Sequence, residues 1–146
     1  MILKIKILQY GLILFLILIF TQCNYRTSSQ KRFSKVLDIE IPKEVEIIKD
    51  EYQDMMQDFA IIYEIKLTVG EMSKLTKSIR ESKYYNDKVF VKYYVSDEMF
   101  IEYNDMKAVW AKTNSGYVFQ NNFNRDAYSA KVDTVKMTAE FNESHD

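Results

Sequence analysis

Between Phe59 and Thr68 apolar and polar positions alternate. Phe59, Ile61, Tyr63, Ile65 and Leu67 fall on one side, and Glu64, Lys66 and Thr68 on the other. A period of two predicts a strand with one buried face. Leu37, Ile39 and Ile41 alternate in the same way with Asp38 and Glu40, which predicts a strand at or near a sheet edge that stops at Pro42. Val45 and Ile47 open a further strand, and the polar run Asp50–Gln57 is expected to turn the chain back toward Phe59.

After Thr68 the period changes. Thr68-Val69-Gly70-Glu71 has the Thr-x-x-Glu form of a capping box, in which two side chains satisfy the free N–H groups of a helix start. Met72, Leu75 and Ile79 then recur at helical spacing, with Lys74, Lys77 and Arg80 turned to water, predicting a helix to about Lys83. Tyr84-Tyr85-Asn86-Asp87 ends it and leads into an alternating strand through Val89, Val91, Tyr93 and Val95. Ser96–Met106 fits a short helix capped by Ser96, with a strand as the competing reading. Beyond it, Val109-Trp110-Ala111, Tyr117-Val118-Phe119, Tyr128/Ala130/Val132 and Met137/Ala139/Phe141 predict a meander, and Asn142–Asp146 a frayed tail. Strands with one wet face predict an α+β domain: a single antiparallel sheet of about six to eight strands, with one or two helices on one face.

The N-terminus follows other rules. Lys4 and Lys6 precede an apolar run from Tyr10 to Phe20, and Thr21-Gln22 lead to Cys23, the only cysteine of the 146-residue chain. As a helix the run would cover ~16 Å at 1.5 Å per residue, about half of a ~30 Å hydrocarbon core. A short apolar stretch behind basic residues is a signal-peptide pattern. Residues 1–23 resemble a bacterial lipoprotein signal, in which cleavage leaves the cysteine as the new N-terminus. The resemblance implies that the Cys23 thiol carries a diacylglycerol, that its amine is acylated (commonly with palmitate), and that the product sits in the cell envelope, expectedly at the outer membrane. Gln22 stands where that family usually has Gly, Ala or Ser, and Phe20 where it usually has Leu. Two or more acyl chains give a stable anchor without a spanning helix. A lone cysteine leaves no internal disulfide.

Charge divides the rest. Residues 24–36 hold Arg26, Lys31, Arg32 and Lys35 and no acid, whereas 37–146 hold 14 basic and 21 acidic residues, a net of −7. The polar, basic segment reads as a flexible stalk, giving three parts: a signal peptide over 1–22, a lipidated and basic stalk over 23–36, and one domain over 37–146. A body of that charge excludes a nucleic-acid partner. The expected partners are the membrane, through the anchor, and another protein.

Candidate chemistry is sparse. His145, the only histidine, falls in the expected tail. Three glycines in the chain leave no phosphate-cradling loop, and no Cys/His cluster offers a metal site, so no cofactor is expected. Asp97, Glu98, Glu102 and Asp105 crowd one segment, and Glu98 and Glu102 share a face if it is helical. Ca²⁺ takes six to eight oxygens from a tight loop, which this segment does not offer, so a solvated acidic face is the expectation. Nine of the eleven tyrosines lie after residue 37. Tyr84, Tyr85, Trp110 and Tyr117 are the candidate interface residues, because such side chains join apolar area to a polar tip; strand packing is their ordinary use.

In architecture the chain resembles the small lipoproteins of Gram-negative envelopes. The leading expectation is a membrane-anchored, non-catalytic binding protein. An inhibitor or immunity protein against an envelope-acting toxin or hydrolase is the alternative, and a small enzyme relying on carboxylates such as Glu98, Glu102 and Asp105 is the third.

Overall fold

A computed structural model describes residues 28–56, 58–91, 108–121 and 126–145. The element order is α1 (Ser29–Leu37), β1 (Glu46–Met55), β2 (Asp58–Lys66), α2 (Val69–Glu81), β3 (Tyr85–Val91), β4 (Ala108–Thr113), β5 (Gly116–Asn121), β6 (Asp126–Asp133) and β7 (Thr138–His145). The seven strands form one sheet in the order β1-β2-β7-β6-β5-β4-β3. All neighbours are antiparallel except β3 and β4. A parallel pair needs a crossover connection, and here the chain passes through residues 92–107, outside the described set.

The α+β single-sheet architecture is as the alternation predicted. α2 begins with the expected capping box: Thr68 accepts from the Glu71 N–H, and the Glu71 carboxylate accepts from the Thr68 N–H at 2.7 Å. Met72, Leu75 and Ile79 are buried on its inner face.

The start of the body differs from expectation. Residues 29–36 are not a stalk, and Leu37, Ile39 and Ile41 are not a strand. Ser28 caps α1, and Phe33 and Leu37 sit four residues apart on its buried face. The Phe33 ring stacks on Tyr63 and Phe141, with centroids at 6.2 and 5.6 Å. Asp38 ends the helix in the left-handed region (φ 54°), and the Ile39 N–H closes back on the Ser34 carbonyl at 3.0 Å. Ile39 and Ile41 are buried from an extended segment that joins no ladder. The sequence alternation there reflects alternate burial without strand pairing.

Two further boundaries move. β1 runs through the polar stretch to Met55, and the turn is the tight one at Met56, whose φ of 70° is of the sign a two-residue hairpin needs. The last strand does not fray at Asn142. β7 continues to His145 because it lies between β2 and β6 and is paired on both sides.

Register places Ile61, Tyr63 and Ile65 of β2 beside Ala139 and Phe141 of β7, then Ala130 and Val132 of β6, Tyr117 and Phe119 of β5, and Trp110 of β4. With Phe33 and Leu37 of α1 and Met72, Leu75 and Ile79 of α2 they make one core. Both helices therefore cover the same face. A smaller cluster of Val89, Val109, Ala111 and Val118 is buried separately. No helix among the described residues is long and apolar enough to cross a membrane.

Candidate functional site

The alternation of β7 carries Ala139, Phe141, Glu143 and His145 toward the helices, so the strand changes from apolar to ionisable along one face. Arg32 of α1 meets Glu143 there. Its Nε donates to Oε2 and its terminal nitrogen to Oε1, a two-point ion pair. The Glu143 side chain is 1% exposed and that of Arg32 is 37%. Tyr128, opposite Glu143 in the β6–β7 register, donates its hydroxyl to Oε1 at 3.1 Å. Burial and the adjacent Glu143 charge push the Tyr128 phenol up to about 12. The hydrogen bond to Glu143 raises the Arg32 guanidinium further above its already high value. Glu143 thus meets three donor groups in a water-poor setting, as a buried carboxylate requires.

Two residues further along the same face, His145 bonds through Nδ1 to Asp126, its register partner on β6. The imidazole stacks on Phe59 at 5.4 Å, Phe59 stacks on Tyr52 at 5.7 Å, and Arg32 lies over Phe59 at 5.7 Å. The result is a row of rings across β1, β2 and β7, with a guanidinium above its centre. Chemically, Glu143 and Arg32 are spent on each other. Among the described residues, no group of three His, Cys, Asp or Glu side chains is placed to hold a metal. The cluster fastens the first helix to the last strand, and the half-exposed His145–Asp126 pair is its solvent-facing end. Sequence reasoning missed Arg32, Tyr128, Glu143 and His145 as a group. The signal available was the continuation of the Ala139–Phe141 alternation into Glu143 and His145.

The four aromatic candidates do not share an exposed surface. Trp110 is fully buried in the middle of β4, and its indole N–H donates to the Leu37 carbonyl at 3.0 Å. Tyr117 is buried as well. Both are therefore packing residues and cannot present an interface. Tyr84 and Tyr85 are half-buried, standing edge-on to Phe119 and Tyr117 at 5.8 and 6.1 Å. Cys23 and the acidic group Asp97, Glu98, Glu102 and Asp105 lie outside the described residues.

The opposite face of the sheet is more open. Ladder register puts Ala60, Ser144 and Ala127 in one row, and Ile62, Asn142, Ser129 and Gln120 in the next. The small side chains of the first row leave a shallow concavity of about 310 Å³. Amides of Gln120, Asn121 and Asn142 and the hydroxyls of Ser129 and Ser144 line it together with apolar groups, and the Tyr128 and Glu143 positions border it. No family model, curated protein or solved structure matches the chain.

Proposed function

We propose that the protein is a lipid-anchored, non-catalytic lipoprotein of a bacterial cell envelope, whose body binds another molecule. The observation that carries this is the place of Cys23, the sole thiol, directly behind a basic-then-apolar leader too short to span a bilayer. The fold adds a geometric consequence. Cys23 and the α1 cap Ser28 are five positions apart, a reach of at most ~18 Å. A body so tethered stays against the membrane, with the start of α1 as its nearest element.

An inhibitor or immunity protein is the second reading. The observation favouring it is the concentration of acid and exposed apolar surface on β1, which suits a basic protein partner. The experiment for the anchor is fractionation of the native host with isotope-labelled palmitate. Wild type is expected in the membrane fraction and labelled, and Cys23→Ser unlabelled and released or retained as precursor. Equal labelling of both proteins would refute the proposal.

A further inference from the structure

β1 is the terminal strand of the sheet, and among the described residues it pairs only with β2. It spans Glu46–Met55, longer than an edge strand is usually left. A bulge lies at its start, between Ile47 and Lys49; beyond it, Lys49 to Met55 pair with β2 without interruption. The outer edge of that run is a template for another strand.

Natural sheet edges are blunted by lysine, proline, bulges and inward-pointing charge; β1 has its bulge at one end only, a single lysine and no proline, and its helix-side Asp50 is taken up by Ser29, so the run from Glu51 to Met55 keeps a regular outer edge. The six large apolar residues most exposed among those described include Ile47 (56%), Ile48 (49%) and Tyr52 (48%) on β1, and Met56 at its end. Four of six on one edge is a concentration, where singly scattered apolar residues would be ordinary.

Charge selects the occupant. Glu46, Asp50, Glu51 and Asp54 against Lys49 give β1 a net of −3. Antiparallel pairing of two copies centred on the strand would set Asp50 against Glu51 of the other copy, a like-charge contact that destabilises a ladder. Anionic headgroups are repelled by the same acids. A strand bearing Lys or Arg is attracted.

We infer that β1 is a docking edge for an extended, basic segment of a partner protein, which adds as an eighth strand. Backbone hydrogen bonds supply pairing, and alternate side chains of the segment meet Glu51 on one face and Tyr52 and Asp54 on the other. Ser29 of α1 donates its hydroxyl to Asp50 at 2.5 Å, so this edge adjoins the start of the helix that follows Cys23. The inference deepens the binding role proposed above, and it takes only the membrane-proximal position of the edge from the anchor.

The test uses full-length protein in detergent, where lipidation has no bearing on the readout, so failure here and failure of the anchor are separate results. The probe is a ten-residue peptide of alternating Lys and Val, ¹³C-labelled in its carbonyls; controls are Glu/Val and backbone N-methylated versions. Expected are binding of the Lys/Val peptide with an infrared amide shift to β-structure, no binding of either control, and at least tenfold weakening in Glu51→Lys/Asp54→Lys. Both residues are exposed, and unchanged thermal unfolding of the variant checks its fold. Absence of binding, binding without the β shift, or binding indifferent to charge reversal would overturn the inference. So would dimerisation through β1 on sedimentation, or burial of Ile47 and Ile48 by anionic vesicles in place of peptide.

Discussion

Arg32 and Glu143 form a two-point ion pair across 111 residues of sequence, joining α1 to β7. Neither is apolar, and only Glu143 falls in phase with a buried alternation, that of Ala139 and Phe141. Together with Tyr128 they close one end of the core.

Breaking that pair from one side leaves a charge stranded. Arg32→Met abandons a carboxylate that is almost fully buried, with only Tyr128 to satisfy it; the expected cost is ~3–5 kcal/mol. Arg32→Met/Glu143→Met removes both charges and is expected to be less destabilising than Arg32→Met alone. Urea unfolding of the singles and the double measures the coupling. Additive losses would mean that the pair contributes nothing in common.

The fold also depends on α1 being part of the body. Phe33 is fully buried between Tyr63 and Phe141, so Phe33→Ala is expected to cost about 3–5 kcal/mol. Removal of residues 1–27 is expected to leave the cooperative transition intact, and removal of 1–37 to abolish it. Trp110, alone of its kind and hydrogen-bonded to Leu37, reports both through its fluorescence. A stalk would show neither loss.

Alkaline stability follows from Tyr128. Its phenol ionises at about 12 in the native protein against 10.0 when unperturbed, chiefly because burial disfavours the phenolate, with the Glu143 charge adding to this. The unfolded chain therefore loses the proton first. The contribution is complete below pH ~10 and is lost as pH rises toward ~12. Unfolding midpoints of wild type and Tyr128→Phe are expected to converge over that interval, because the variant lacks this proton linkage. Tyr63 and Tyr85 are also raised, so the difference between the two proteins is the diagnostic quantity.

Gly116 tests the β5–β6 hairpin. Its φ is +157°, and a Cβ built there would stand 2.0 Å from the Val132 carbonyl oxygen, a backbone atom that cannot rotate aside. Gly116→Ala is expected to lose about 1–3 kcal/mol or more, read from its melting temperature. A value equal to wild type would contradict the close approach.

What the sequence made legible was local. The α2 helix carries its cap and its period within fourteen residues of chain, Thr68–Glu81, and β2 its alternation within nine, so neither needs distant partners to be recognised. α1 was illegible because its stability comes from Arg32 and Phe33 reaching β7 and β2, while Leu37-Ile39-Ile41 imitate a strand. The β1–β2 turn was hidden because Met56 takes a left-handed conformation without the Gly or Asn that usually announces it. The end of β7 was hidden because Asn142-Glu143-Ser144-His145 has no apolar residue. Its order comes from neighbours on both sides and from a cation 111 residues away. Of the candidate interface residues, Trp110 and Tyr117 take the ordinary packing role; residue type alone does not distinguish a contact aromatic from a core one.

The proposed function rests on the anchor, and the intact mass of the N-terminus of protein purified from its native host tests it most directly. The expected result is a chain that begins at Cys23 and carries the added mass of a diacylglyceryl group and an amide-linked acyl chain. A chain that retains Met1, or one whose Cys23 sulfur is unmodified, would contradict it.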